Sequence, residues 1–121
     1  MHVHLVFVTK YRRKIFDSTA INILNIIFSE ICDKFDARLI EMDGEHDHVH
    51  LLIEYPPKLS VSKLVNSLKG VSSRLLRKHI PAIKKHYWKD VLWSPSYFAA
   101  SCDGAPISIV KQYIQQQATP N

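Results

Sequence analysis

The hydrophobic pattern alternates between short unbroken apolar runs and longer stretches in which apolar residues recur every three or four positions. His2–Thr9 (HVHLVFVT) is a compact run rich in β-branched residues and predicts a buried strand. After the basic stretch that follows, Asp17 or Ser18 is placed to cap a helix whose Ile21, Leu24, Phe28, Ile31 and Phe35 share one face. Arg38–Met42 predicts a second strand, Asp43-Gly44 a turn, and His48–Tyr55 (HVHLLIEY) a third strand stopped by Pro56-Pro57. Ser60 then caps a long amphipathic helix with Val61, Leu64, Val65, Leu68, Val71 and Leu75 inward, and Pro81 lies beyond its end. Tyr87, Trp88 and Trp93 lead into a fourth strand around Tyr97–Ser101, which Asp103-Gly104 ends. Pro106 suits a first helical turn, and a last helix runs to about Gln117 with Ile107, Val110 and Ile114 as its apolar stripe.

The predicted order is βαββαβ followed by a C-terminal helix. That is the ferredoxin-like member of the α+β class, an antiparallel sheet with two helices on one face and the other face uncovered. An uncovered sheet face is where such folds place a nucleic acid, a partner subunit or a site. With 121 residues and no repeat or long linker, 1–121 reads as a single domain.

Composition narrows the class. Hydrophobic residues make up 46% and only three residues are Gly, which excludes a disordered or collagen-like chain. The longest apolar stretch, Ile21–Phe28, is interrupted by asparagines and is too short for a membrane span. The basic residues near the start follow the apolar segment rather than precede it, so a secretory signal is not expected and a cytoplasmic protein is. Cys32 and Cys102 make neither a disulfide framework nor a metal-type pair and are expected as reduced, half-buried thiols.

Charge divides the chain. Met1–Tyr55 holds six basic and nine acidic residues, whereas the remainder holds ten basic and two acidic. So basic a half suggests a polyanionic partner, nucleic acid above all, although a solvated helix face would carry the same charge. Lys10, Arg12, Arg13 and Lys14 form a compact cluster suited to phosphates, and Lys63, Lys69, Arg74, Arg77 and Lys78 offer a second along the long helix. Trp93 and Tyr97 are candidates for stacking on bases, with packing under the last helix the competing role.

Side chains alternate across a strand, so His46, His48 and His50 fall on one face and Asp47, Val49, Leu51 and Ile53 on the other. The apolar set belongs under the helices, which leaves the histidines on the open face. Two imidazoles at i and i+2 can approach one divalent cation and leave positions for a substrate oxygen. His2-Val3-His4 makes the same pattern, and spacing alone does not choose between the pairs. On the last helix, Tyr113 and Gln117 are four apart and reach the same spot. A tyrosine, with a pKa of about 10, is a poor nucleophile at neutral pH unless a nearby cation stabilises the phenolate.

Taken jointly, Asp47-His48-Val49-His50-Leu51-Leu52-Ile53 and the late Tyr113-Ile114-Gln115-Gln116-Gln117 on a ferredoxin-like chain resemble the single-tyrosine HUH transposases of the smallest bacterial insertion sequences. The opening Val6–Lys14, Pro56-Pro57 before Ser60, Leu68-Lys69-Gly70 with Ser72-Ser73, and Trp93 with Ser96-Tyr97-Phe98 extend the resemblance over nearly the whole chain. It implies an enzyme on single-stranded DNA, with Tyr113 as nucleophile and His48, His50 and Gln117 holding Mg²⁺ or Mn²⁺. Cleavage would leave a 5′-phosphotyrosine and a 3′-hydroxyl, and a second 3′-hydroxyl would later rejoin the strands. It also implies hairpin DNA ends as substrates and a homodimer whose subunits share active sites through the tyrosine helix. Lys10, Arg12, Arg13, Lys14, Lys69 and Arg74 are the expected DNA contacts. The resemblance selects His48 and His50 over His2 and His4, and leaves His4 a structural role near the site and His46 at the strand's start. Where the family tends to have a glycine pair before the last helix, this chain has Cys102-Asp103-Gly104, a stiffer hinge.

Two other classes remain. A non-catalytic nucleic-acid-binding module would need exposed aromatics on the central strands, where the chain offers only Phe7 and Tyr55. A metal-dependent nuclease using water would make Tyr113 incidental.

Overall fold

The computed structural model describes residues 1–86 and 91–102. Within them run β1 (His2–Val8), α1 (Ser18–Lys34), β2 (Arg38–Glu45), β3 (His48–Glu54), α2 (Val61–His79) and β4 (Phe98–Ser101), with short 3₁₀ turns at Lys10–Arg12 and Pro81–His86. The strands form one antiparallel sheet in the order β2-β3-β1-β4, the ferredoxin-like arrangement expected from the sequence. The expected last helix, with Tyr113, Gln117 and the hinge at Gly104, lies outside the described residues, as do Tyr87 and Trp88.

Both helices start where a side chain can satisfy their first amides. The Asp17 carboxylate accepts from the Ala20 amide at 2.8 Å, and the Ser60 hydroxyl accepts from the Lys63 amide at 3.2 Å. The amphipathic faces of α1 and α2 then cover one side of the sheet. The core between them comprises Val3, Leu5 and Phe7 of β1, Val49, Leu51 and Ile53 of β3, Leu24, Phe28 and Ile31 of α1, and Leu64, Val65, Leu68 and Leu76 of α2. On α2 the fully buried stripe is Leu64, Val65, Leu68, Ser72 and Leu76, and Val61, Val71 and Leu75 pack against the core partly buried. Ser72 is tolerated there because its hydroxyl accepts from the Trp93 indole at 2.9 Å and donates to the Lys69 carbonyl at 3.2 Å.

Trp93 is a core residue. Its ring packs against Phe7, Phe16 and Phe28 at centroid distances of 5.7, 5.4 and 6.4 Å, so it is not a stacking platform for bases. Phe7 is likewise fully buried on the helix side, which removes one of the two aromatics a binding module would have used.

The hairpin between β2 and β3 differs from expectation. The strand continues through Asp43-Gly44, and the turn falls at His46-Asp47 instead. Gly44 serves close packing rather than a turn: a Cβ there would meet Ile21 Cδ1 of α1 at 2.8 Å. His46 and Asp47 form the turn, so the strand alternation that assigned each of them a face does not apply. His46 is exposed in the turn, and its carbonyl accepts from the amides of Ile15 and Phe16 at 2.8 and 2.9 Å.

Candidate active site

The register of β1 against β3 sets the histidine face. His4 lies opposite Leu52, Val6 opposite His50 and Val8 opposite His48, so His4, His48 and His50 all project away from the helices. Far from being open, the centre of this face is buried: the three rings are only 4–5% exposed. The His48 and His50 rings stand edge-on with centroids 5.1 Å apart, and His50 stacks on His4 at 5.4 Å. Phe98 of β4 meets His4 edge-on at 5.7 Å.

The hydrogen bonds of the rings decide which nitrogens can ligate. His48 Nδ1 donates to the Asp47 carboxylate at 2.8 Å, which leaves the lone pair on Nε2. His50 Nδ1 lies 3.1 Å from His4 Nε2, and which of the two nitrogens donates depends on the tautomers. Alternation placed Asp47 on the opposite face from the histidines. The turn releases it from that alternation, and its carboxylate swings round to orient His48. Burial alone would raise the Asp47 carboxyl pKa, but the hydrogen bond to His48 and the charge of Arg12 outweigh it and hold the group below its ordinary value. Burial lowers His4 below the usual imidazole range, which keeps it a neutral neighbour for His50.

Among the described residues no group of three or more His, Cys, Asp or Glu side chains is gathered to hold a metal ion. The described part of the site therefore offers two neighbouring imidazoles, and a metal held by them would need further ligands. The donor set fits a divalent cation that takes nitrogen and oxygen ligands.

The basic loop after β1 is fastened to the same corner. The Thr9 amide donates to the Asp47 carbonyl at 2.9 Å, the Thr9 hydroxyl to the Arg13 carbonyl at 2.7 Å, and Arg12 Nε to the Asp47 carboxylate at 3.4 Å. Tyr11 and Arg12 both adopt left-handed backbone, φ 59° and 51°, at a cost of about 1–2 kcal/mol each. Arg12 thus joins the His48–Asp47 pair to the loop that carries Lys10, Arg13 and Lys14.

Residues 1–117 match the family model described as "Transposase IS200 like". The chain belongs to the IS200-like transposases. It is 32% identical over 114 residues to the transposase of insertion sequence IS200 from Salmonella typhimurium, covering 94% of this chain and 74% of that one. To the ISDra2 transposase TnpA of Deinococcus radiodurans it is 29% identical over 117 residues, covering 97% and 84%. A crystal structure of a Deinococcus radiodurans protein inferred to be a transposase superposes with a TM-score of 0.79 at 28% identity, covering 98% of this chain and 92% of that one. The REP-associated tyrosine transposase bound to a REP hairpin shares the fold, with a TM-score of 0.66 at 10% identity over 93% of this chain and 61% of that one.

In this IS200-like transposase, the second set of basic candidates divides. Arg74 lines a cleft between α2 and the segment 91–95, together with Lys10 and Arg77. Lys69 borders the same cleft, but its ammonium is committed to the fold. It donates to the Ser94 carbonyl, lies 3.5 Å from the Ser96 carbonyl, and sits over the Phe7 and Tyr97 rings. Burial accordingly lowers its pKa. Neither Cys32 nor Cys102 is disulfide-bonded, and no helix of the described residues is long and apolar enough to cross a membrane.

Proposed function

We propose that this transposase cleaves and rejoins single-stranded DNA through a covalent 5′-phosphotyrosine at Tyr113, with His48, His50 and Gln117 holding Mg²⁺ or Mn²⁺. The observation that carries the reading is the pair of imidazoles on β3, 5.1 Å apart, with His48 oriented through Nδ1 by the Asp47 carboxylate and His50 held by His4. A carboxylate that fixes the tautomer of one imidazole is the usual support of a metal-ligating histidine. The IS200-like family supplies the DNA chemistry, and the hairpin in the REP-associated relative's structure supports folded DNA ends as the substrate.

The phenol oxygen of Tyr113 would form the bond to phosphorus as the bond to the 3′-oxygen breaks, and the phenol proton would end on the departing 3′-hydroxyl. The bond energy stays in the phosphotyrosine, so a second 3′-hydroxyl can reverse the step without water. A bound divalent cation would supply positive charge beside the scissile phosphate and favour the phenolate. Asp47 and His4 hold the ring orientations, while Lys10, Arg12, Arg13, Lys14 and Arg74 draw in the phosphates of the strand. Lys69 acts through the 94–96 carbonyls, holding the wall of the cleft. A homodimer in which the helix bearing Tyr113 completes the partner's site accords with Gly104 as its hinge.

The test is a denaturing gel of the protein mixed with labelled single-stranded DNA from the flanks of its own gene. A band that survives SDS, needs Mg²⁺ or Mn²⁺ and vanishes with Tyr113→Phe is the expected result. Cleavage that persists in Tyr113→Phe, without an adduct, would replace this reading by a water-using nuclease. Binding without cleavage would reduce it to a binding module.

A further inference from the structure

Helix α2 carries a glycine at its middle for which the fold itself gives no reason. Gly70 is exposed, its φ lies outside the left-handed region, and a Cβ built on it would meet no described residue within 4 Å. Contrast Gly44, where a Cβ would strike Ile21. Glycine is the poorest helix former after proline, so an alanine at 70 would strengthen α2 at no steric cost. What Gly70 does border is the cleft between α2 and the segment 91–95.

The cleft has a volume of about 560 Å³, within the roughly 300–1,000 Å³ typical of ligand sites. Lys10, Arg74 and Arg77 bring cationic side chains to its walls beside the engaged Lys69, and none of the described lining residues is acidic. Val91 and Pro95, both exposed, form an apolar flank opposite the helix. Cations beside an apolar flank suit a nucleotide, whose phosphate and base differ in the same way. A duplex, by contrast, presents its phosphates outward with its bases already stacked.

We infer that this cleft binds one nucleotide unit of a single DNA strand, phosphate toward Arg74 and Arg77 and base against the Val91–Pro95 flank, and that Gly70 keeps the space open for it. The inference rests on the DNA reading above but concerns a different place from the histidines: it puts the strand's path on the helix layer as well as on the sheet.

Binding of a fluorescein-labelled oligo-dT to the full chain, followed by anisotropy in EDTA so that no cleavage intervenes, tests it. Gly70→Ala is expected to raise Tm by roughly 3–6 °C and to leave affinity near that of the unaltered protein. Gly70→Leu is expected to raise Tm similarly yet weaken binding roughly tenfold, within the range for losing one base contact. Its slope of log affinity against log salt should also shrink by about 0.7 for the phosphate lost. The double variant Arg74→Gln/Arg77→Gln should flatten that slope further. A stabilised Gly70→Leu that binds with unchanged affinity and slope would overturn the cleft while leaving the DNA reading standing. A drop in Tm for Gly70→Leu would show that packing needs the glycine, and would overturn it too. Failure of the unaltered protein to bind oligo-dT would remove both readings.

Discussion

The two faces of the central strand pair are built from the same fourteen paired positions and have opposite characters. On the helix side Val3 faces Ile53, Leu5 faces Leu51 and Phe7 faces Val49, all hydrocarbon and at most 2% exposed. On the other side His4 faces Leu52, Val6 faces His50 and Val8 faces His48, and the three imidazoles are nearly as deeply buried. Burial on the first face stabilises through transfer from water and needs no partners. On the second it would be costly without hydrogen bonds, which Asp47 and His4 provide. One strand pair therefore separates hydrocarbon packing from a hydrogen-bonded imidazole cluster by nothing more than the alternation of its side chains.

If that separation holds, substitutions on the two faces should fail in different assays. His48→Ala or His50→Ala is expected to abolish the metal-dependent SDS-resistant adduct. The loss should reach roughly a thousandfold or more, in line with the several kcal/mol such a cation contributes. Their urea midpoints should move far less than that of a core variant. A His50→Ala protein with undiminished cleavage would break the comparison outright.

Leu51→Ala, one residue away and facing the helices, should do the reverse. It removes a fully buried side chain among Phe7, Phe28 and α2, at a cost of about 2–5 kcal/mol. Thermal unfolding should show Tm lower by about 10 °C or more, while the fraction that remains folded keeps its affinity for Mn²⁺. Loss of Mn²⁺ binding by folded Leu51→Ala would show that the faces are mechanically coupled.

Asp47→Asn sharpens the comparison within the histidine face. The amide can accept the same hydrogen bond but no longer carries the charge that raises the basicity of His48. Mn²⁺ affinity by titration calorimetry should fall about 10- to 100-fold, the usual cost of losing such an orienting carboxylate. An unchanged affinity would make Asp47 a fastener of the Arg12 loop and nothing more.

Much of this was legible in advance, and what was not has physical causes. The capped helices and apolar runs announced the elements because each carries its own local signal. The pair His48-Val49-His50 announced its face because a strand has a period of two. Asp43-Gly44 misled, since a glycine that avoids Ile21 and a glycine that makes a turn look the same in a sequence. That displaced the turn onto His46-Asp47 and hid the role of Asp47, although a carboxylate directly before a histidine on a strand is itself a signal for an orienting bond. The contact of His4 with His50 depends on β1 lying beside β3, a pairing across 46 residues of chain that spacing does not encode. The double occupation of Lys69 was invisible for the same reason, because its partners come from the segment around Ser94 and Ser96.

The two thiols provide the smallest test, one on each side of the sheet. Cys32 sits on α1 within the core and is fully buried, whereas Cys102 follows β4 and packs against Leu52 on the histidine side, partly exposed. Burial, with a lesser contribution from Asp33, pushes the Cys32 thiol up to about 12 from its ordinary value of 9.0. Between those values the unfolded chain sheds the proton and the folded chain keeps it. Stability therefore falls as pH rises above 9, by at most about 1.4 kcal/mol per unit from this group, and none of that loss occurs below it. Urea unfolding at pH 8, 9 and 10 should accordingly show a steeper alkaline decline for the unaltered protein than for Cys32→Ala, other titrating groups being common to both. At pH 8 a thiol reagent should modify Cys102 in the native protein and reach Cys32 only after unfolding. Equal rates at the two cysteines would mean that the helix side opens as readily as the histidine side, and the division of labour between the faces would then not extend to their dynamics.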